Sequence, residues 1–248
     1  MKNLKIGTWN IKNSYFKIEE NAFKNYCIGE LLRSEDLDIL CLQEVNFDLL
    51  EKIKKSLKRT DYSVPTIDKP YKLGFRNVIT EKNVIITRLN HEYWNEDNNL
   101  PYLPKKFSLK TIPTIRERNI TRLGLGKENL MVFNTHLDYA VDELGKRQMD
   151  EVIRFLGIMR GFYERDFILM GNLNSKPNHL NMLNFTEELE DFNMKVLNVS
   201  TNTYNNHDDN LPVDYIIVPN SYMVDELKTV NNFEKASSHY PVIAKVKR

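Results

Sequence analysis

Six short apolar runs in this chain carry, five at an end and one inside, residues that can do acid–base or metal chemistry. Thr8-Trp9-Asn10 closes the first and Gln43-Glu44 the second. Asn134-Thr135-His136-Leu137-Asp138 closes a third, and Gly171-Asn172-Leu173-Asn174 follows Phe167-Ile168-Leu169-Met170. Asp214 lies inside an apolar run, and Ser238-His239 opens the last one. Each has a plain structural reading when taken alone. Asn10 can end a strand in a turn, Glu44 can be a solvated strand end, His136 a hydrogen-bonded core histidine, and residues 171–174 a turn. Asp214 is harder to dismiss, because a carboxylate flanked by Val213 and Ile216 needs a buried partner. His239 would serve, since an Asp–His pair orients and charges an imidazole.

Such groups act only when rigid elements hold them. Alternation around Leu4, Ile6, Trp9 and Ile11 predicts a strand over residues 1–11. A helix is expected over 23–33, with Phe23, Tyr26, Cys27 and Leu31 on one face. Residues 38–42 read as a buried strand. Residues 47–57 read as a helix with Leu50, Ile53 and Leu57 inward and Lys52, Lys54, Lys55 and Lys58 outward. Strands are expected over 83–88, 119–125, 130–136, 166–170, 213–218 and 240–246, and helices over 141–159 and 178–191. Between them, residues 91–113 carry Pro101, Pro104 and Pro113 and read as irregular. This order implies a layered α/β domain, not an all-parallel doubly wound sheet.

Composition narrows the classes. The 248 residues are 41% hydrophobic and 28% charged, an ordinary globular balance. Lys and Arg number 35 against 34 Asp and Glu, so no strong basic field announces nucleic-acid binding. Two cysteines, Cys27 and Cys41, exclude a disulfide framework and disfavour a cysteine zinc site. No apolar run approaches the ~18 residues of a membrane span. Lys2, Lys5 and Lys12 interrupt the N-terminal segment where a signal peptide would be apolar. The chain therefore reads as a soluble cytoplasmic protein.

In their order, these motifs resemble those of the endonuclease/exonuclease/phosphatase superfamily, the fold of pancreatic deoxyribonuclease. The resemblance is carried by Thr8-Trp9-Asn10-Ile11, Leu42-Gln43-Glu44-Val45, Asn83 to Arg88, Asn134 to Asp138 with Arg147-Gln148, Gly171 to Asn174, Val213 to Ile216, and Ser238-His239-Tyr240-Pro241-Val242. It implies an α/β fold, a four-layer α/β/β/α sandwich with two central mixed sheets, formed by residues 1–248 as a single domain. It also implies a Mg²⁺-dependent site (Mn²⁺ as an alternative ion) with Glu44 as principal ligand and Asn10 close by. His136 and His239 would donate to phosphoryl oxygens, Asp214 would orient His239, and Asn174 would position the phosphate and the nucleophile.

Two positions depart from the pattern. Position 172 is Asn where the resemblance expects Asp, and an amide cannot accept a proton from the attacking water at neutral pH. Native or introduced, Asn172 implies impaired turnover. Position 238 is Ser where Asp is usual, and Ser supplies no charge. The implied activity is phosphoester hydrolysis, first as a phosphodiesterase or nuclease on DNA, RNA or nucleotides. A phosphatase or sphingomyelinase-like phospholipase stands as the alternative, and a silent phosphoester-binding protein as a third reading. A monomer without membrane insertion is expected. Two features stay open. Residues 52–59 are a phosphate-tracking face or a solvated helix surface. Tyr93, Trp94, Tyr102 and Phe107, with Lys105 and Lys106, are a stacking or lipid-facing element or a loop pinned by its own aromatics.

Overall fold

The computed structural model of the chain describes residues 3–12, 18–65, 72–73, 76–77, 79–97, 114–116, 120–138, 142–197, 202–206 and 209–248. In chain order the elements begin β1 (Asn3–Asn10), α1 (Ile18–Ser34), β2 (Ile39–Val45) and α2 (Phe47–Leu57). The middle holds β3 (Lys72–Leu73), β4 (Arg76–Asn77), β5 (Ile79–Thr87), β6 (Tyr93–Asp97), β7 (Thr114–Arg116), β8 (Ile120–Leu125) and β9 (Leu130–His136). Then come α3 (Asp142–Phe162), β10 (Asp166–Asn172), α4 (Leu180–Asp191), β11 (Met194–Leu197), β12 (Tyr204–Asn206) and β13 (Asp209–Leu211). The chain closes with β14 (Asp214–Pro219), β15 (Met223–Thr229) and β16 (Val242–Lys247).

Among the described residues two six-stranded sheets form, β15-β16-β1-β2-β5-β7 and β11-β14-β10-β9-β8-β6. Both are mixed. In each, a central parallel pair (β1/β2 and β9/β10) is joined through a helix and flanked by antiparallel partners. The period of two along a strand explains the layers. On β2, Ile39 and Cys41 pack between the sheets, while Leu40 and Leu42 pack under α1 and α2. On β10, Ile168 and Met170 face the other sheet, and Phe167 and Leu169 face the side of α3 and α4. Three apolar layers result, one between the sheets and one under each helix pair, which is the four-layer α/β/β/α sandwich.

Local chemistry sets the helix boundaries. Asn46 caps α2 by accepting the Leu49 N–H at 2.8 Å, and Leu49, Leu50, Ile53 and Leu57 fill the inward stripe. On α1 the inward stripe differs from the expected one. Cys27, Ile28, Leu31 and Leu32 are buried, but Phe23 is 43% and Tyr26 60% exposed. The position in register at the head of the stripe is Lys24, only 4% exposed, whose ammonium donates to the carbonyls of Ile11 (2.9 Å) and Lys12 (2.7 Å). An apolar count passes over a lysine that pays its burial in hydrogen bonds.

Eight strands fall outside the expected set, five of them (β3, β4, β7, β12 and β13) only two or three residues long; the other three are β6, β11 and β15. β6 falls within the stretch read as irregular. β11 has four residues, and β15 is an edge strand exposed along its first half, so neither shows a strong period. Of the aromatic–lysine stretch, Tyr102, Lys105, Lys106 and Phe107 lie outside the described residues. No helix among the described residues is long and apolar enough to cross a membrane.

Candidate active site

The topology gathers the polar strand ends. Parallel pairs point two carboxyl ends the same way, so Asn10 and Gln43 pair at the tips of β1 and β2, and His136 and Asn172 at the tips of β9 and β10. The antiparallel neighbour β14 starts where β10 stops, which pairs Asn172 with Asp214. Strand parity does the rest. Asn10, Asn134, His136, Asn172 and Asp214 share the parity of the residues that pack between the sheets. Gly171 permits this junction. Its φ is +150°, and a Cβ there would lie 1.9 Å from the Thr135 carbonyl oxygen.

Glu44 reaches the site by another route. By alternation from Ile39 and Cys41, Gln43 faces inward and Glu44 should face the helices. The β2/β5 register shifts between Leu42 and Val45, and Glu44 adopts a left-handed φ of +58°. The bulge turns the carboxylate toward Asn10, whose Nδ2 donates to Glu44 Oε1 at 3.1 Å. Asn10 Oδ1 meanwhile accepts the Lys12 N–H at 2.8 Å. Asn10 thus presents its donor, not its oxygen, to Glu44.

The carboxylate is 8% exposed, and among the described residues only His136 comes within ion-pair range, at 3.7 Å. Among the described residues no lysine or arginine forms an ion pair with this nearly buried carboxylate, the Lys24 charge acting on it through space, and such a carboxylate fits a hard divalent cation. Mg²⁺ needs only one or two carboxylates when waters and substrate oxygens complete its shell. No group of three or more His, Cys, Asp or Glu among the described residues forms a protein-only metal cage. Asn172 Oδ1 is also buried and has no hydrogen-bond partner among the described residues, the kind of oxygen a ligand satisfies.

His239 is held from several sides. Its Nδ1 lies 2.8 Å from Asp214 Oδ2, so Nδ1 carries the proton and donates, which leaves Nε2 for a ligand. Asn172 Nδ2 donates to the other Asp214 oxygen at 2.8 Å. The amide–carboxylate contact gives Asn172 a well-made place beside the pair. Trp9 Nε1 donates to the His239 carbonyl at 2.9 Å, and Ser237 Oγ accepts the His239 N–H at 3.0 Å while donating to the Asn10 carbonyl at 2.7 Å. Ser238 Oγ is buried and has no partner among the described residues.

Sequence reasoning missed several residues here. The Tyr204 ring packs 4.6 Å from the His239 ring, and Lys12 Nζ sits 5.0 Å over the Tyr204 ring and donates to its hydroxyl at 3.3 Å. Lys24 anchors the two carbonyls that precede and follow the Lys12 N–H. Burial pushes the Lys24 pKa down, opposed by the carboxylates of Glu20, Glu44 and Glu81. Lys12 follows directly on the first motif, and Ser237 directly precedes the last, so both carried a signal. Tyr204 and Lys24 carried none.

On the other flank, Asn174 has a left-handed φ of +50°. Its amide donates to the Leu137 carbonyl at 2.7 Å and lies 3.3 Å from His136 Nε2. Beneath the site, Asn134 Nδ2 donates to the carbonyls of Leu42 and Val84, both at 2.9 Å, and Asn134 Oδ1 accepts from Gln43 Nε2 at 2.8 Å. The structure thus gathers Asn10, Glu44, His136 and Asn174 in one chain of contacts and Asn172, Asp214 and His239 in a second. The pairing of His136 with Asn172 across β9 and β10 joins the two.

Comparison with known proteins follows the same lines. A model of the Endonuclease/Exonuclease/phosphatase family matches residues 7–239. No curated protein matches the sequence. Among solved structures, the endonuclease/exonuclease/phosphatase from Bacteroides vulgatus is similar over 100% of this chain and 99% of that one, at 17% identity and a TM-score of 0.74. A mannosyl-6-phosphatase from Bacteroides thetaiotaomicron is similar over 99% and 100%, at 15% identity and a TM-score of 0.70. D. rerio TDP2 complexed with single strand DNA product is similar over 100% of both chains, at 13% identity and a TM-score of 0.66. At these identities the likeness is one of fold.

Proposed function

Because the chain belongs to the endonuclease/exonuclease/phosphatase family, we propose that it is a Mg²⁺-dependent phosphoester hydrolase, with turnover held down by Asn172. The observation that carries this reading is the convergence of Glu44, His136 and Asn174 with the Asp214–His239 pair at one end of both sheets. Glu44 would hold the ion, with Asn10 fixing the carboxylate's orientation. Bound there, Mg²⁺ or Mn²⁺ would neutralise charge on the phosphoryl and leaving oxygens. With protons on both ring nitrogens, His239 would donate from Nε2 to a phosphoryl oxygen, its ring aligned by Asp214 and backed by Tyr204. His136 and the Asn174 amide would supply donors from the opposite flank. Asn172 occupies the place of the water-activating carboxylate and cannot take the proton.

The first substrate class is nucleic acid or nucleotides, cleaved as phosphodiesters. A second reading, a phosphatase on small phosphate esters, is favoured by the charge balance of 35 against 34, which gives little grip on a long polyanion. The similar fold of a mannosyl-6-phosphatase agrees with it. The test is a hydrolysis panel of single-stranded DNA, RNA, nucleotides, sugar phosphates and sphingomyelin with Mg²⁺ or Mn²⁺, beside Mg²⁺ calorimetry on the native chain and Glu44→Gln. Slow, metal-dependent hydrolysis is expected, together with a sharp loss of Mg²⁺ affinity in the variant. Unchanged Mg²⁺ affinity would remove the metal assignment. Binding without hydrolysis of any ester would make the chain a silent phosphoester-binding protein.

A further inference from the structure

Beside the site lies a cavity of about 180 Å³ that the chemistry above does not use. Asn174 belongs to both, since it lines the cavity and also approaches His136 Nε2 at 3.3 Å. A group in the cavity is therefore adjacent to a phosphoryl group held by His136 and Asn174. The buried side chains of Met149, Leu173 and Val213 line it with apolar surface. Asp138 adds a nearly buried carboxylate whose direction is fixed by Gln148. Gln148 Nε2 donates to Asp138 Oδ2 at 3.1 Å, and Gln148 Oε1 accepts the Asp138 N–H at 2.8 Å. His179, also in the lining, is committed to capping α4 by accepting the Asn181 N–H at 3.3 Å.

The lining selects a chemical class. A cavity of about 150 Å³ accepts one six-membered ring, so this one takes a single ring and not a chain of them. The Asp138 carboxylate accepts hydroxyl hydrogens and repels a second phosphate; the cation in the lining, Lys176, is exposed. Among the described residues none of Phe, Tyr or Trp lines the cavity and the His179 ring is tied to the start of α4, so a nucleobase gains little there, whereas the C–H face of a saturated ring fits Leu173 and Val213. We propose that the cavity is the alcohol subsite and takes the uncharged, hydroxylated pentose or hexose ring that carries the phosphoester. This deepens the phosphoester-hydrolase reading and rests on it.

The test measures binding, so that slow turnover does not matter. The full-length chain with Mg²⁺ is titrated by calorimetry with inorganic phosphate, ethyl phosphate, ribose 5-phosphate, glucose 6-phosphate and a nucleoside 5′-monophosphate. At least one sugar phosphate should bind about tenfold or more tighter than ethyl phosphate, the worth of one or two satisfied hydroxyls. Asp138→Asn should cut that advantage severalfold. Asn181→Trp, a partly exposed lining position where a large ring can enter without displacing core, should abolish it. Both variants should bind ethyl phosphate as the native chain does. Which ring wins, pentose or hexose, identifies the source. Equal affinity for sugar phosphates and ethyl phosphate would overturn the proposal, as would an advantage that neither variant alters. A gain seen only with the nucleotide would overturn it in favour of base recognition. If inorganic phosphate and every ester fail to bind, the phosphoester reading falls, and this proposal with it.

Discussion

Asn172 shares one carboxylate with a histidine. Its Nδ2 holds one Asp214 oxygen at 2.8 Å while His239 Nδ1 holds the other at 2.8 Å. Asn172→Asp keeps the shape but replaces that donor with a second anion. Turnover should rise at least about a hundredfold on the right substrate, because a positioned general base contributes ~10²–10⁴. Stability should move the other way. Without divalent cation, the variant should lose about 1–3 kcal/mol, the worth of a buried hydrogen bond left unmade. Paired single-turnover assays and urea melts in chelator check both. Equal rates in the two proteins would place water activation elsewhere, with His239 next in line.

At the scale of the element, the junction of β9 and β10 depends on a residue without a side chain. The backbone of Gly171 passes so close to Thr135 that a Cβ would meet its carbonyl oxygen at 1.9 Å, well inside van der Waals contact. Gly171→Ala must therefore push β10 away from β9, and it must also hold alanine at a φ of +150°. A destabilisation of about 3 kcal/mol or more is expected, at the far end of the range for single substitutions. Because Asn172 and His136 are paired across the same junction, ligand affinity should fall too. An alanine variant with native denaturant midpoint and native phosphate binding would show that the close approach is not a feature of the folded chain in solution.

Across the whole molecule, the two sheets are joined under the site by a polar clamp within an apolar layer. Asn134, on β9, donates to carbonyls of β2 and β5 and accepts from Gln43, which also donates to Thr8 Oγ1 at 2.9 Å. Asn134→Ala removes both donations to the Leu42 and Val84 carbonyls and leaves Gln43 Nε2 with the Thr8 hydroxyl but without the Asn134 oxygen, in a dry interior. The loss should be about 2–4 kcal/mol, with the denaturant slope unchanged because the surface exposed on unfolding is the same. A loss below about 0.5 kcal/mol, in the range of an exposed surface change, would mean the clamp contributes nothing.

Alternation and amphipathic spacing settled much of this beforehand. A period of two in β2, β9 and β10 places alternate residues on opposite faces whatever the partner strand. The expected helix over 47–57 coincides with α2, because its cap and its apolar stripe are both local. The order of polar strand ends was readable too, and parity along single strands carries Asn10, His136, Asn172 and Asp214 to a common plane. Glu44 shows the limit. Read by parity it faces away from the site, and only the bulge against β5 turns it in, which depends on a strand some forty residues later in the chain. Lys24 and Tyr204 show a second limit. Nothing in their neighbours marks them, because their partners, the carbonyls of Ile11 and Lys12 and the ring of His239, are supplied by other parts of the chain. The sequence by itself determined the layers, the faces of most strands and the residue types at their tips, since these follow from local period and chemistry. Only the tertiary structure decided which tips meet, how Glu44 turns and what backs the histidine, because those depend on strand pairing between residues far apart in the chain.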